Sequence, residues 1–143
     1  MVGNSLDSKA KAAIVEAIRG AEKNTSGEIR VHVTKKACGD SMAEAKKMFE
    51  KLGMHRTKLR NGVLLFISLK DHTFTILGDQ GIHERVGDSF WAQTRDKMVQ
   101  HFSGGRLEEG IVTGVWDAGK KLEEFFPFKA GDKNELKNEV TEN

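Results

Sequence analysis

The apolar residues of the N-terminal segment recur at steps of three and four, which is the period of a helix with one buried stripe. This stripe consists of Leu6, Ala10, Ala13, Ile14, Ala17, Ile18 and Ala21. The same period recurs in three later segments, at residues 42–52, about 89–102 and 107–125. The pattern therefore predicts four helices, each with one face in the core.

Between these helices, three short segments have the spacing of strands. Residues 29–34 alternate between apolar and polar, which is typical of a strand at a sheet edge or with one partly exposed face. Residues 63–67 run apolar without alternation, which favours a central strand covered on both faces. Residues 73–77 follow a connection short enough for a hairpin, so they predict a third strand antiparallel to the second.

This order of helices and strands predicts an α/β fold, a three-layer α/β/α sandwich in which helices flank both faces of a small mixed sheet. A right-handed crossover through the second helix makes the first two strands parallel. The starts of the first two strands and the end of the third then share one edge of the sheet. We expect a single domain over residues 5–128 and a disordered tail over residues 129–143, because the tail is polar and has little apolar surface to bury.

The balance of charges and the single cysteine exclude some classes of partner and of covalent cross-link. The chain has 143 residues, and its 23 Lys and Arg nearly balance its 21 Asp and Glu, which disfavours nucleic acid or an anionic membrane as the main partner. Cys38 is the only cysteine, so no intramolecular disulfide forms. Neither a leader peptide nor a membrane span is evident, and we expect a soluble, cytoplasmic monomer without a nucleic-acid or membrane partner.

The segment from Gly78 to Asp88 concentrates acids and glycines directly after the third strand. Glycines on both sides of Asp79 and Gln80 let the backbone approach a ligand closely. Hard cations such as Ca²⁺ take carboxylate, amide and carbonyl oxygens, and the same sheet edge receives further oxygens from the first two strands. The predicted metal ligands are Glu28, Asp79 and Asp88, and the secondary ligands or lining residues are Asn61, Glu84 and Arg60.

Each of the main candidates has a plainer interpretation as well. Asp88 precedes a predicted helix and could be its N-cap. Glu28 could pair with a nearby arginine or lysine, and Asn61 before a glycine could be a turn residue. A zinc site is disfavoured because the five histidines are not closely spaced.

Three blocks of sequence, taken in order, resemble the TPM domain family. They are Thr25-Ser26-Gly27-Glu28-Ile29-Arg30-Val31, Arg60-Asn61-Gly62-Val63-Leu64-Leu65-Phe66-Ile67, and Gly78-Asp79-Gln80-Gly81-Ile82-His83-Glu84 followed by Val86-Gly87-Asp88. The family is named for a thylakoid lumen phosphatase, a photosystem II repair protein and a modulator of nematode acetylcholine receptors. The resemblance covers about residues 6–126 and is to the short, stand-alone bacterial type.

The resemblance implies an α/β/α sandwich, divalent-cation binding with Ca²⁺ preferred, and in one plant member acid phosphatase activity. Other members are interaction or assembly modules. This chain departs from longer members at two places. Arg60 stands where they commonly have Asp before Asn-Gly, and Asp79-Gln80 stands where they often have Gly-Tyr-Gly, so a shifted or differently composed metal site is expected.

The leading hypothesis is a domain that binds Ca²⁺, or Mg²⁺ more weakly, and has a regulatory or assembly role. The alternative is a metal-dependent phosphatase acting on phosphomonoesters, with Arg56 or Arg60 holding the phosphate. A third hypothesis is a structural protein-interaction domain without metal, whose protein partner the sequence does not identify. The sequence identifies no catalytic nucleophile or base.

Overall fold

The computed structural model describes residues 6–128 and 139–143, apart from the side chain of Asp88. The first half of the chain contains α1 (Ser8–Ala21), β1 (Glu28–Thr34), α2 (Ser41–Lys51), β2 (Gly62–Ser68) and β3 (Thr73–Gly78). The second half contains α3 (Gln80–Val86), α4 (Ala92–Ser103), α5 (Leu107–Phe125) and β4 (Val140–Glu142). None of the helices in these ranges is long and apolar enough to span a membrane.

The strands form one sheet in the order β3-β2-β1-β4. β1 and β2 run parallel with Glu28 opposite Gly62, and β3 runs antiparallel to β2 with Gly78 opposite Val63. The sequence predicted β1 parallel to β2 and β3 antiparallel to β2, and the structure confirms both orientations. The registers also place the starts of β1 and β2 beside the end of β3, at what we call the carboxylate end of the sheet.

The two central strands, β1 and β2, bury both of their faces, which confirms the predicted three-layer α/β/α sandwich. On one face, Ile29, Val31 and Val33 pack in a core with α1, α4 and α5. On the other face, Leu64 and Phe66 pack in a smaller core with α2. The continuous apolar run of β2 supplies side chains to both cores, as a central strand should.

The polar residues of β1 are buried and are bound by the C-terminal segment. Arg30 is 5% exposed and His32 is 2% exposed. The Arg30 Nη2 atom lies 2.7 Å from Glu139 Oε1, and the ring nitrogens of His32 lie 2.7 Å from Thr141 Oγ1 and 3.0 Å from Asn143 Oδ1. Burial lowers the pKa of His32, which favours the neutral ring in this bridge.

The prediction of a disordered tail was wrong for Val140–Glu142, which form β4 in parallel with β1. The prediction counted only apolar surface, whereas the C-terminal segment is held by backbone pairing and by the polar side chains of β1. β1 is consequently a central strand, and its polar alternation does not indicate a sheet edge. Residues 129–138 of the predicted tail lie outside the described residues.

Candidate functional site

The carboxylate end of the sheet joins residues from three strands. The Glu28 N–H donates to the Asn61 carbonyl at 3.3 Å, and the Asp79 N–H donates to the Gly62 carbonyl at 2.9 Å. Glu28 and Asp79 therefore flank Gly62, which adds no side chain between them. Both acids are buried, at 2% and 6% exposure. The structure thus brings together Glu28, Asn61 and Asp79, as the topology predicted.

Asp79 holds the end of β3 to the loop before β2. It is the N-cap of α3, and its Oδ1 accepts the Gln80 N–H at 2.7 Å. Arg60 clasps the same carboxylate, with Nε donating to Oδ2 at 2.8 Å and Nη2 to Oδ1 at 3.0 Å. The Asp79 carboxylate, through hydrogen bonds and charge, raises the pKa of the Arg60 guanidinium. Both carboxylate oxygens are therefore engaged within the protein.

Gly81 makes this clasp possible by letting the loop backbone approach α3. Its N–H donates to the Arg60 carbonyl at 2.8 Å. A Cβ at this position would lie 2.3 Å from the Leu59 carbonyl oxygen and 2.6 Å from the Arg60 carbonyl oxygen. Arg60 itself has a left-handed φ of 52°, which a non-glycine residue keeps only when its surroundings hold it.

Replacing Asp79 by alanine should reduce the free energy of unfolding by about 2 kcal/mol, because the change removes a helix cap and a buried carboxylate with several charge-assisted hydrogen bonds. The matched control is Asp40→Ala, which removes the exposed N-cap of α2, where Oδ1 accepts the Ala43 N–H at 3.1 Å. The control should lose about 1 kcal/mol. Urea denaturation measures both, and equal losses would contradict the structural role of the clasp.

A third acid, Glu22, belongs to this end of the sheet, and it was not among the predicted ligands. It is the C-cap of α1, and its Oε2 accepts the Ile29 N–H at 2.7 Å. Burial, with a further contribution from the charge of Glu28, raises the pKa of Glu22 to about 8 against the opposing effect of the Ile29 hydrogen bond. Its position in the sequence could have indicated an unusual environment, since the helix dipole disfavours a charged carboxylate at a helix C-terminus.

The remaining predicted residues differ in where they lie. Asn61 is buried, and its Nδ2 donates to Ser26 Oγ at 3.4 Å. Glu84 is an exposed residue of α3 whose charge reaches Arg60. The side chain of Asp88 lies outside the described residues, so its assignment as a ligand stays a prediction, whereas the alternative assignment as an N-cap was wrong because α4 begins at Ala92 with Trp91 in the N-cap position. The cluster therefore consists of Glu22, Glu28, Asn61 and the Arg60–Asp79 pair.

The side chains of this cluster offer few metal ligands. In the part of the chain that the structure describes, no group of three or more His, Cys, Asp or Glu could hold a metal ion. The carboxylates of Glu22 and Glu28 with the amide of Asn61 fall short of the six to eight oxygens around Ca²⁺. These residues fit a cation only where water completes its coordination.

The clasp also bears on the predicted phosphate site. Nε and one N–H of Nη2 of Arg60 are committed to Asp79, so a phosphate would find only the remaining N–H groups of a guanidinium whose charge the carboxylate already balances. Arg56 is exposed and lies in the short 3-10 turn Met54–Arg56 before β2. The geometry thus favours a structural role for Arg60 over a phosphate-binding one.

Comparisons with known proteins agree with the fold. The sequence profile of the TPM domain matches residues 3–121. The NMR structure of the BA42 protein from the psychrophilic bacterium Bizionia argentinensis is similar, with 44% identity, a TM-score of 0.90, and coverage of 96% of this chain and 95% of that one. The N-terminal domain of a protein from P. gingivalis has 20% identity, a TM-score of 0.69, and coverage of 85% and 78%, and it shares the fold. No curated protein matches the chain.

Proposed function

This chain belongs to the TPM domain family, and from that premise we propose that it binds a divalent cation at the carboxylate end of its sheet, with Ca²⁺ preferred over Mg²⁺. The binding serves a regulatory or assembly role. The observation that supports the proposal is that Glu22, the C-cap of α1, reaches the start of β1, where its Oε2 accepts the Ile29 N–H next to Glu28. Glu22 and Glu28 lie close enough that the charge of Glu28 helps to raise the pKa of Glu22 to about 8.

Two neighbouring carboxylates in a buried environment oppose each other's ionisation. A divalent cation between them removes that opposition, because its charge is larger than any other in the site and favours the ionised form of both acids. Burial is the main cause of the raised pKa of Glu22, and the charge of Glu28 adds to it; a cation relieves the contribution of Glu28. Binding displaces the proton that Glu22 holds below about pH 8.

The roles within the site follow from the hydrogen bonds already made. Glu22 uses Oε2 for the Ile29 N–H, which leaves Oε1 for a cation. Glu28 supplies the second carboxylate and Asn61 a neutral amide oxygen, while Asp79 stays in the clasp with Arg60. Ca²⁺ accepts irregular coordination that water completes, whereas Mg²⁺ demands near-octahedral geometry. The irregular protein contribution therefore favours Ca²⁺.

A Ca²⁺ titration followed by amide chemical shifts tests this proposal. We expect saturable shifts at residues 22, 26–29 and 60–62, and Glu22→Gln or Glu28→Gln should each weaken binding at least tenfold. The matched control is Glu16→Gln, which makes the same charge change on α1 at a residue paired with the exposed Arg19. Unsaturable shifts at millimolar Ca²⁺, or equal weakening by the control, would contradict the proposal.

Hydrolysis of an aryl phosphate, measured with and without Ca²⁺, separates this proposal from a phosphatase. A binding or regulatory domain should show no turnover above that of the buffer with Ca²⁺ bound. Turnover that requires Ca²⁺ and disappears in Glu28→Gln would instead assign the site to phosphoester chemistry.

A further inference from the structure

A groove of about 520 Å³ runs along the open side of β3. β3 is the last strand of the sheet on this side, within the described residues. One wall comes from α2 and the other from α3, α4 and the turn between them. The lining residues used below are Ile76, Leu77 and Gly78 of β3, Met42 and Lys46 of α2, Trp91 of the turn and Arg95 of α4.

The floor of the groove is a row of backbone hydrogen-bonding groups. The Asp79 N–H points toward β2, where it donates to the Gly62 carbonyl. In an antiparallel pair successive residues point their backbone groups to opposite sides, so Leu77 also points toward β2. Ile76 and Gly78 therefore direct their N–H and C=O groups into the groove. An unpaired row of this kind is a template for another strand.

The walls of the groove are basic and apolar. Lys46 on one wall and Arg95 on the other form no ion pair with any residue in the described ranges. No Asp or Glu is among the residues that line the groove in these ranges. Met42 is 43% exposed on the α2 wall. Trp91 lines the opposite wall with an indole N–H that donates no hydrogen bond to a described residue.

We propose that this groove binds an extended, acidic segment of a partner protein, which adds to β3 as a fifth strand. The partner's backbone pairs with the outward groups of Ile76 and Gly78, which gives the affinity common to strand addition. Its acidic side chains meet Lys46 and Arg95 from the two faces of the added strand, since successive side chains of a strand alternate. The positive charges of Lys46 and Arg95 thus favour acidic residues in the bound segment.

Other occupants fit these observations less well. The C-terminal segment of the chain already pairs with β1 at the opposite side of the sheet. A second copy of the chain would pair β3 with β3 about a two-fold axis, and an isologous contact repeats the same surface on both partners. It would bring two sets of Lys46 and Arg95 together, and like charges at an interface oppose association.

A phage-displayed library of random linear peptides, selected against the full chain, provides the probe. We expect selected peptides to be rich in Asp and Glu alternating with β-branched residues. A synthetic copy of one such peptide should shift the amides of residues 42–46, 74–78 and 91–95 in the protein. Peptides without acidic residues, shifts confined to other surfaces, or a failure to select any peptide would overturn the proposal. A homodimer that forms through residues 74–78 and leaves no peptide binding there would also overturn the proposal.

Two N-methylated versions of that peptide test the strand pairing without altering the protein. N-methylation at alternate residues removes every donor from one edge of the added strand and leaves the other edge intact. One version should lose binding at least tenfold and the other should bind within about threefold of the parent. Equal binding by the two versions would overturn strand addition.

Charge reversal tests the basic walls. The double variant Lys46→Glu with Arg95→Glu should weaken the peptide at least tenfold, while Lys120→Glu, an equivalent reversal on the exposed face of α5, should leave it within about twofold. Circular dichroism and the midpoint of urea denaturation serve as the check on folding, and both should match those of the wild type. Unchanged peptide binding in a double variant that still folds would overturn the role of the two cations.

Discussion

Replacing Gly81 by alanine should destabilise the protein by about 3 kcal/mol, because the added carbon overpacks a site that has no room to expand. A Cβ there would stand 2.3 Å and 2.6 Å from two carbonyl oxygens of the loop before β2. These are backbone atoms, so no change of rotamer relieves the clash. The hydrogen bond from Gly81 N–H to the Arg60 carbonyl, 2.8 Å in the native chain, must lengthen or break.

Gly78→Ala is the matched control for this variant. A Cβ at Gly78 would contact Ile82 and Trp91 at 3.4 Å, which is an ordinary packing distance, so we expect a change below about 1 kcal/mol. Urea denaturation followed by circular dichroism measures both variants. A Gly81→Ala protein as stable as Gly78→Ala would show that the loop before β2 does not depend on the close contact with α3.

The same substitution should disturb the candidate site, because the displaced loop carries Asn61 and Arg60. A movement of that loop away from α3 pulls the guanidinium from Asp79 and the Asn61 carbonyl from the Glu28 N–H. We therefore expect Gly81→Ala to weaken Ca²⁺ binding even under conditions where the protein remains folded. The stability of the fold and the geometry of its carboxylate end are coupled at this glycine.

Much of the fold could be predicted because it depends on periodicity and chain order. The apolar run of β2 and the alternation of β1 gave their positions, and the handedness of the crossover gave their parallel orientation, which the register of Glu28 opposite Gly62 confirms. From this topology alone, Glu28, Asn61 and Asp79 could be placed together although they are far apart in sequence. Only backbone geometry was needed for that step.

The rest depended on side-chain pairing, which periodicity does not encode. α3 was not predicted, because Gly78 and Gly81 suggested a loop and Asp79 was interpreted as a metal ligand, whereas it is the N-cap of this helix. β4 is three residues long, and its anchors are the buried Arg30 and His32 of a distant strand. The Arg60–Asp79 clasp required the left-handed backbone of Arg60, a position where sequence gives no preference for arginine.

The protonation of Glu22 should make the stability of the protein fall as the pH rises. Its pKa is about 8 in the folded chain, compared with an ordinary value of 4.5, so the folded state holds a proton that the unfolded state has released. The stabilisation is complete below about pH 4.5 and is lost as the pH rises through about 8. The pKa difference sets a ceiling of about 5 kcal/mol, and with partial solvation we expect about 3 kcal/mol.

Glu22→Gln isolates this effect, since the amide oxygen keeps the hydrogen bond to the Ile29 N–H and does not ionise. The variant and the wild type should have similar stability at pH 5, and the variant should be more stable by about 3 kcal/mol at pH 9. Glu16→Gln, the exposed control on α1, should follow the wild type at both values. A parallel pH dependence in wild type and Glu22→Gln would exclude Glu22 as the titrating group.

Calcium provides an independent readout of the same group, because metal and proton compete for the Glu22 carboxylate. Saturating Ca²⁺ should stabilise the wild type more at pH 9 than at pH 5, and the increment should shrink to the same small value at both pH values in Glu22→Gln. A Ca²⁺ increment that does not change with pH in the wild type would place the cation away from Glu22. The pH-dependent loss of stability and the gain on binding Ca²⁺ therefore depend on the same group, the Glu22 carboxylate, whose ionisation is opposed mainly by burial and further by the charge of Glu28.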